Sequence, residues 1–216
     1  GEAQEKVAVQ IAEQMADYLL TGAISNAINM PSVSAEEAPR LRPYIRLARQ
    51  LGSFAGQITE SGLSGVTISY LGDAAALNNR PITAAALHGL LTPLLASVNA
   101  VNAPLLAKER GIEVTTVERE DAEGYQTLVR LTVETERGER TLAGTLFQGE
   151  SPRVVEIQGI PMEARLAPRM LYTRNADKPG YIGALGSALG DRGVNIASFQ
   201  LGRSSSRAAL APTQVD

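Results

Sequence analysis

Between Pro81 and Ala107 the chain carries no Asp, Glu, Lys or Arg. A run of that length raises the question of what covers it. Two solvents can do so, a lipid bilayer or a protein core. His88, Asn99 and Asn102 have polar groups that are costly in hydrocarbon, and Pro93 and Pro104 lack the donors that a spanning helix needs. The run therefore reads as two helices buried in a protein core, from about Thr83 to Leu95 and from Asn99 to Glu109, with Gly111 as a stop.

The flanking sequence supplies the covering elements. Val7, Ile11, Met15 and Leu19 recur at fourfold spacing, which predicts a helix over about 5–20. A linker with Pro31 and Pro39 follows. Leu47, Leu51, Phe54 and Ile58 then mark one face of a helix over 41–58. Val66, Ile68 and Tyr70 alternate at strand period. IEVTTVERE, the segments on either side of Arg137-Gly138, and RVVEIQG read as further strands. From about residue 40 to 165 the pattern is one of mixed α/β type, a sheet covered by helices. A β-α-β unit follows, with strands at RMLYT and VNIASFQL around a helix from Gly180 to Gly190. Beyond Gly202 the segment SSSRAALAPTQVD shows neither alternation nor a helical stripe, so no element is expected there.

Composition narrows the chemistry. The chain has no cysteine, which excludes disulfides, thiol nucleophiles, iron–sulfur clusters and thiolate zinc sites, and suits a reducing cytoplasm. The net charge of −3 without a basic stripe argues against nucleic acid as a partner. His88 is the single histidine and sits in an apolar helix, where a structural role is expected rather than a catalytic one. No metal-ligand spacing occurs. Gly183, Gly186 and Gly190 lack the Gly-x-Gly turn of a dinucleotide site and suit close helix packing instead.

Anion sites are the better candidates. Arg153 opens one strand and Arg165 closes the next. A hairpin turning at Gly159 would bring their forked donors together for a phosphate or carboxylate. The same spacing also describes two solvated surface arginines. In NADKPGYIGALGSALGDRGVNI, Asn175 and Asp177 lie in the turn before a helix N-terminus, and Asn195 lies in the turn after that helix. Together they suit a zwitterion such as an amino acid, and they equally suit ordinary turn and cap duties.

This last stretch resembles the start of an ACT regulatory domain. EAQEKVAVQIAEQMADYLLTGAISNAINMPSV, LGSFAGQI and VNAVNAPLLAKERGI, in that order, resemble the long-form D-3-phosphoglycerate dehydrogenases. The resemblance runs from residue 2 to about 203. It implies a fold of α/β (α+β) class in three parts: the end of a catalytic region (1–33), an intervening allosteric substrate-binding domain (34–166) and an incomplete, ferredoxin-like ACT unit (167–216). It further implies serine contacts at Asn175, Asp177 and Asn195, and phosphate contacts at Arg153 and Arg165. The expected effectors are L-serine or a phosphorylated hydroxy acid, and the expected assembly is a homo-oligomer. NAD is implied for the whole enzyme. The family's nucleotide-binding and catalytic residues belong upstream of Glu2, so no cofactor and no catalytic residue are expected in this chain. The runner-up readings are a stand-alone amino-acid-binding or oligomerisation module and the non-catalytic part of an L-serine dehydratase.

Overall fold

The computed structural model describes residues 2–25, 27, 30–176, 178–203 and 208–215. Helix α1 spans Glu2–Thr21. Its sequence stripe is real, but it covers nothing: Val7, Ile11, Met15 and Leu19 are all at least half exposed. A short antiparallel bridge, Ile24 to Val33, leads out of it. Ser34 and Glu37 then satisfy each other's backbone and side-chain groups in a capping-box arrangement, and helix α2 follows at Ala38–Gln57.

Strand β1 (Leu63–Gly72) is followed by a 3-10 turn and by α3 (Asn79–Leu91), α4 (Ala103–Glu109) and β2 (Glu113–Arg119). Strands β1 and β2 pair in parallel, so the uncharged run forms the crossover between them. Helix α3 has the expected length but lies four residues earlier in the chain than expected, whereas α4 starts four residues late, and polar residues before it explain that late start. Asn99 Oδ1 accepts from the backbone N–H groups of Val101 and Asn102, and Asn102 Oδ1 accepts from that of Asn99. These side-chain bonds replace helical ones. Pro104 then opens α4, where its missing donor costs nothing.

Strands β3 (Thr127–Thr135), β4 (Gly138–Phe147), β5 (Ser151–Ile157) and β6 (Ile160–Ala164) complete a sheet of order β2-β1-β3-β4-β5-β6. Helices α2 and α3 cover one face. Leu47, Leu51, Ile68, Ile82, Leu90 and Leu131 are fully buried between the layers. Tyr70 is buried with them, and its hydroxyl is 2.7 Å from Thr83 Oγ1. The two helices approach with glycine at each contact: a Cβ at Gly52 would lie 2.1 Å from Ala86 O, and one at Gly89 would lie 2.1 Å from Arg49 O.

A second sheet contains β7 (Met170–Ala176), β8 (Ile196–Phe199), the two-residue β9 (Gly202–Arg203) and β10 (Ala208–Val215), with α5 (Tyr181–Gly190) between β7 and β8. The expectation that no element follows Gly202 is overturned. The tail strand β10 lies between β7 and β8, antiparallel to both. Pro212 disguised it, because proline normally argues against a central strand. Here its carbonyl accepts from Gln200 N–H at 3.1 Å, just past the end of β8, so its ring nitrogen faces a position where no ladder bond is required. The resulting βαββ order, with the third strand central, is that of the first part of a ferredoxin-like unit.

Candidate functional site

The hairpin between β5 and β6 turns through Gln158 and Gly159, both at positive φ, as a tight two-residue turn requires. It places Arg153 and Arg165 on one cavity of about 260 Å³, closed on its other side by Ser198, Gln200 and Pro212 of the second sheet. The cavity therefore exists only where the two sheets meet. Arg153 is largely buried and pre-oriented: one guanidinium nitrogen donates to Ser151 Oγ at 2.6 Å and to Pro152 O at 3.1 Å, and the group lies 5.7 Å from the centre of the Phe147 ring. Its nearest carboxylate, Glu163, is 3.9 Å away and mostly exposed, a loose pair that an incoming anion can replace. Arg165 is exposed and forms no hydrogen bond or ion pair among the described residues. Sequence reading missed Ser198 and Gln200, which reach the cavity only through the pairing of β8 with β10.

The residues read as an amino-acid site are distributed differently. Asn175 lines a separate cavity of about 350 Å³ with Lys178, Gly180, Tyr181 and Arg203. Gly180, at φ 89°, turns the chain into the N-terminus of α5. Asn195 is exposed and does not line this cavity. Asp177 lies outside the described residues. Neither Lys178 nor Arg203, which line this cavity, was singled out in the sequence.

Gly183, Gly186 and Gly190 sit inside α5 rather than in the turn before it, and a Cβ at any of them would meet nothing within 4 Å. This corrects the expectation of close helix packing within the chain. It also means that this strand–helix junction has no glycine cradle to fit the phosphates of a dinucleotide. Among the described residues no cluster of acidic, histidine or cysteine groups is placed to hold a metal ion, and no helix is long and apolar enough to cross a membrane.

His88 is partly buried in α3. Burial, and then the positive charge of Arg49, hold its pKa below the ordinary value, so it is neutral at pH 7. It lines neither anion cavity.

Residues 40–158 match the model of the D-3-phosphoglycerate dehydrogenase intervening domain. Relatives named D-3-phosphoglycerate dehydrogenase extend the similarity over most of the chain. The one from Synechocystis is 38% identical over 94% of this chain and 37% of its own length. Those from Bacillus subtilis and Methanocaldococcus jannaschii are each 34% identical over 94% of this chain, and over 39% and 38% of their own lengths. The chain thus spans less than two-fifths of these relatives.

Proposed function

Because the chain belongs to the D-3-phosphoglycerate dehydrogenase intervening-domain family, we propose that it is the regulatory C-terminal part of such an enzyme of serine biosynthesis, sensing a phosphorylated hydroxy acid and L-serine without catalysing the oxidation itself. In this reading the NAD-dependent chemistry resides in the parts of the relatives that this chain does not cover.

The observation that carries the proposal is the meeting of Arg153 and Arg165 on one cavity between the two sheets. Guanidinium groups match the oxygen geometry of phosphate and carboxylate. A ligand held there touches the β5–β6 hairpin and the β8–β10 side at once. It therefore favours one relative placement of the two sheets, which is the minimum that an effector must do. Serine binding is the second half of the proposal. It draws on Asn175, Asp177 and Asn195, with the helix N-terminus as carboxylate acceptor.

Self-association belongs to the same reading. Strands β7 and β8 both have an unpaired edge in the described sheet, and α5 is apolar with no buried residue. Calorimetric titration with 3-phosphoglycerate and, separately, with L-serine tests the proposal. Arg165→Ala is expected to weaken 3-phosphoglycerate at least about tenfold, the loss of a charge-assisted pair, and to leave serine unchanged. Absence of heat from both ligands would refute it.

A further inference from the structure

A third cavity, of about 490 Å³, opens where α2 faces the segment joining the two sheets. One wall is the outer side of α2, with Arg49, Gln50, Ser53 and Phe54; the other is formed by Leu166, Pro168, Met170 and Tyr172, with Pro212 of β10 behind them. Its volume is that of a small-molecule site. Phe54 and Tyr172 meet edge to face across it, with ring centres 5.2 Å apart.

The polar groups on this cavity are few and under-used. Arg49 is the one charged residue on the lining. It is exposed and makes no ion pair among the described residues, so it is open to an incoming carboxylate. The Gln50 amide is held only by a 3.5 Å contact from Nε2 to Leu166 O, and its Oε1 is buried with no partner among the described residues. The Tyr172 hydroxyl is likewise buried and unpartnered, and burial raises its pKa, so it remains a neutral donor. Buried polar groups of this kind ordinarily have partners. Gln50 lines the cavity, and that one long contact is the amide's only hydrogen bond among the described residues.

We infer that this junction cavity is a binding site for a small monocarboxylate with an apolar body and a neutral hydroxyl, distinct from the Arg153–Arg165 cavity. The carboxylate pairs with Arg49. The hydroxyl satisfies the Gln50 amide. The apolar body lies against Phe54, Ile58, Leu166 and Met170. An amino acid fits less well, because no carboxylate on the lining compensates its ammonium group. Met170 and Pro212 also line the Arg153–Arg165 cavity, so the two sites share a wall.

The test is a set of two-dimensional amide NMR titrations of the whole chain with 3-phenyllactate, phenylalanine and 3-phenylpropan-1-ol. Saturable shifts with 3-phenyllactate are expected at 50–58 and 166–172 together. Phenylalanine and the alcohol are each expected to bind at least about fivefold more weakly, the effect of one charge-assisted bond or one uncompensated charge. Arg49→Gln, at an exposed position, should weaken 3-phenyllactate to a similar degree, and Ser53→Phe should fill the cavity and abolish binding. Arg153→Ala should leave it unchanged, which separates this inference from the proposed phosphate site. Because Arg49 lowers the His88 pKa, its pairing with a carboxylate should also raise the His88 midpoint. The inference is overturned if no saturable shift occurs, if the shifts map to the exposed face of α1, or if Arg49→Gln binds as the parent chain does.

Discussion

Asn175 and Asn195 stand at opposite ends of β10. Asn175 is the register partner of Ala209, whereas Asn195 immediately precedes Ile196, the partner of Val215. From Ala209 to Val215, at ~3.3 Å per residue, the two are separated by about 20 Å along the strand. A serine molecule spans a fraction of that distance, so one chain cannot apply both asparagines to it.

The first prediction follows from this separation. If both asparagines contact serine, the site combines Asn175 of one copy with Asn195 of another. In a two-fold dimer each such site occurs twice. Asn175→Ala and Asn195→Ala chains should each fail to bind L-serine in calorimetry. Their exchanged equal mixture should recover about a quarter of the parent sites, because half of the dimers are mixed and each mixed dimer retains one intact site of two. Full serine binding by a strictly monomeric chain would contradict the shared site.

A second prediction concerns the contact of α2 with α3. Replacing glycine by alanine in a helix ordinarily stabilises by roughly 1 kcal/mol. At Gly52 and Gly89 the sign reverses, because the added methyl would lie 2.1 Å from a backbone carbonyl oxygen of the facing helix. Backbone cannot rotate away as a side chain can, so the helices must separate. Gly52→Ala and Gly89→Ala should each cost about 3 kcal/mol, a Tm fall of roughly 6–12 °C for a chain of this size. Gly183→Ala in α5, where a Cβ meets nothing, should be neutral or slightly stabilising by the same thermal measurement.

The third prediction uses the single histidine. Its folded pKa is lowered, first by burial and then by Arg49. In the window below the unfolded value of about 6.5 the unfolded chain therefore binds the proton more readily, and stability rises with pH. The contribution is complete above about pH 6.5 and is lost as the pH falls from there through the folded pKa. His88→Gln should flatten the stability profile in that window, as measured by urea unfolding at a series of pH values. An unchanged slope would show that other groups set it.

Parts of the first sheet and its helices were legible where an element buries mainly one face. The Leu47, Leu51, Phe54 and Ile58 spacing locates α2, and the Val66, Ile68 and Tyr70 alternation locates β1. Gly159 marks the hairpin that joins Arg153 to Arg165, so this half of the candidate site could be read before the fold was known. The stripe of α1 was equally clear, yet Leu19 is 78% exposed; periodicity identifies an apolar face without saying what covers it. Strand β10 was illegible for a local reason, a proline in a central strand, and its pairing depends on where β8 happens to end. The α2 junction cavity had no sequence signal, since Arg49, Tyr172 and Pro212 come together only through the folding of separate segments.

The last prediction tests the central position of β10. It supplies the ladder partners of both β7 and β8, and those two strands do not pair with each other. A chain ending at Arg203 would retain every strand of the first sheet and leave β7 and β8 with no partner in the second. Isolated strands of four to seven residues are not stable in water. Amide exchange should therefore show protection retained at 127–135 and 142–146, and lost at 170–176 and 196–199. Both anion cavities should fail with it, because Ser198 and Gln200 close one and Arg203 lines the other. Protection retained at 170–176 in the shortened chain would show that β7 is held by its packing on α2, through Phe54 and Tyr172, rather than by β10.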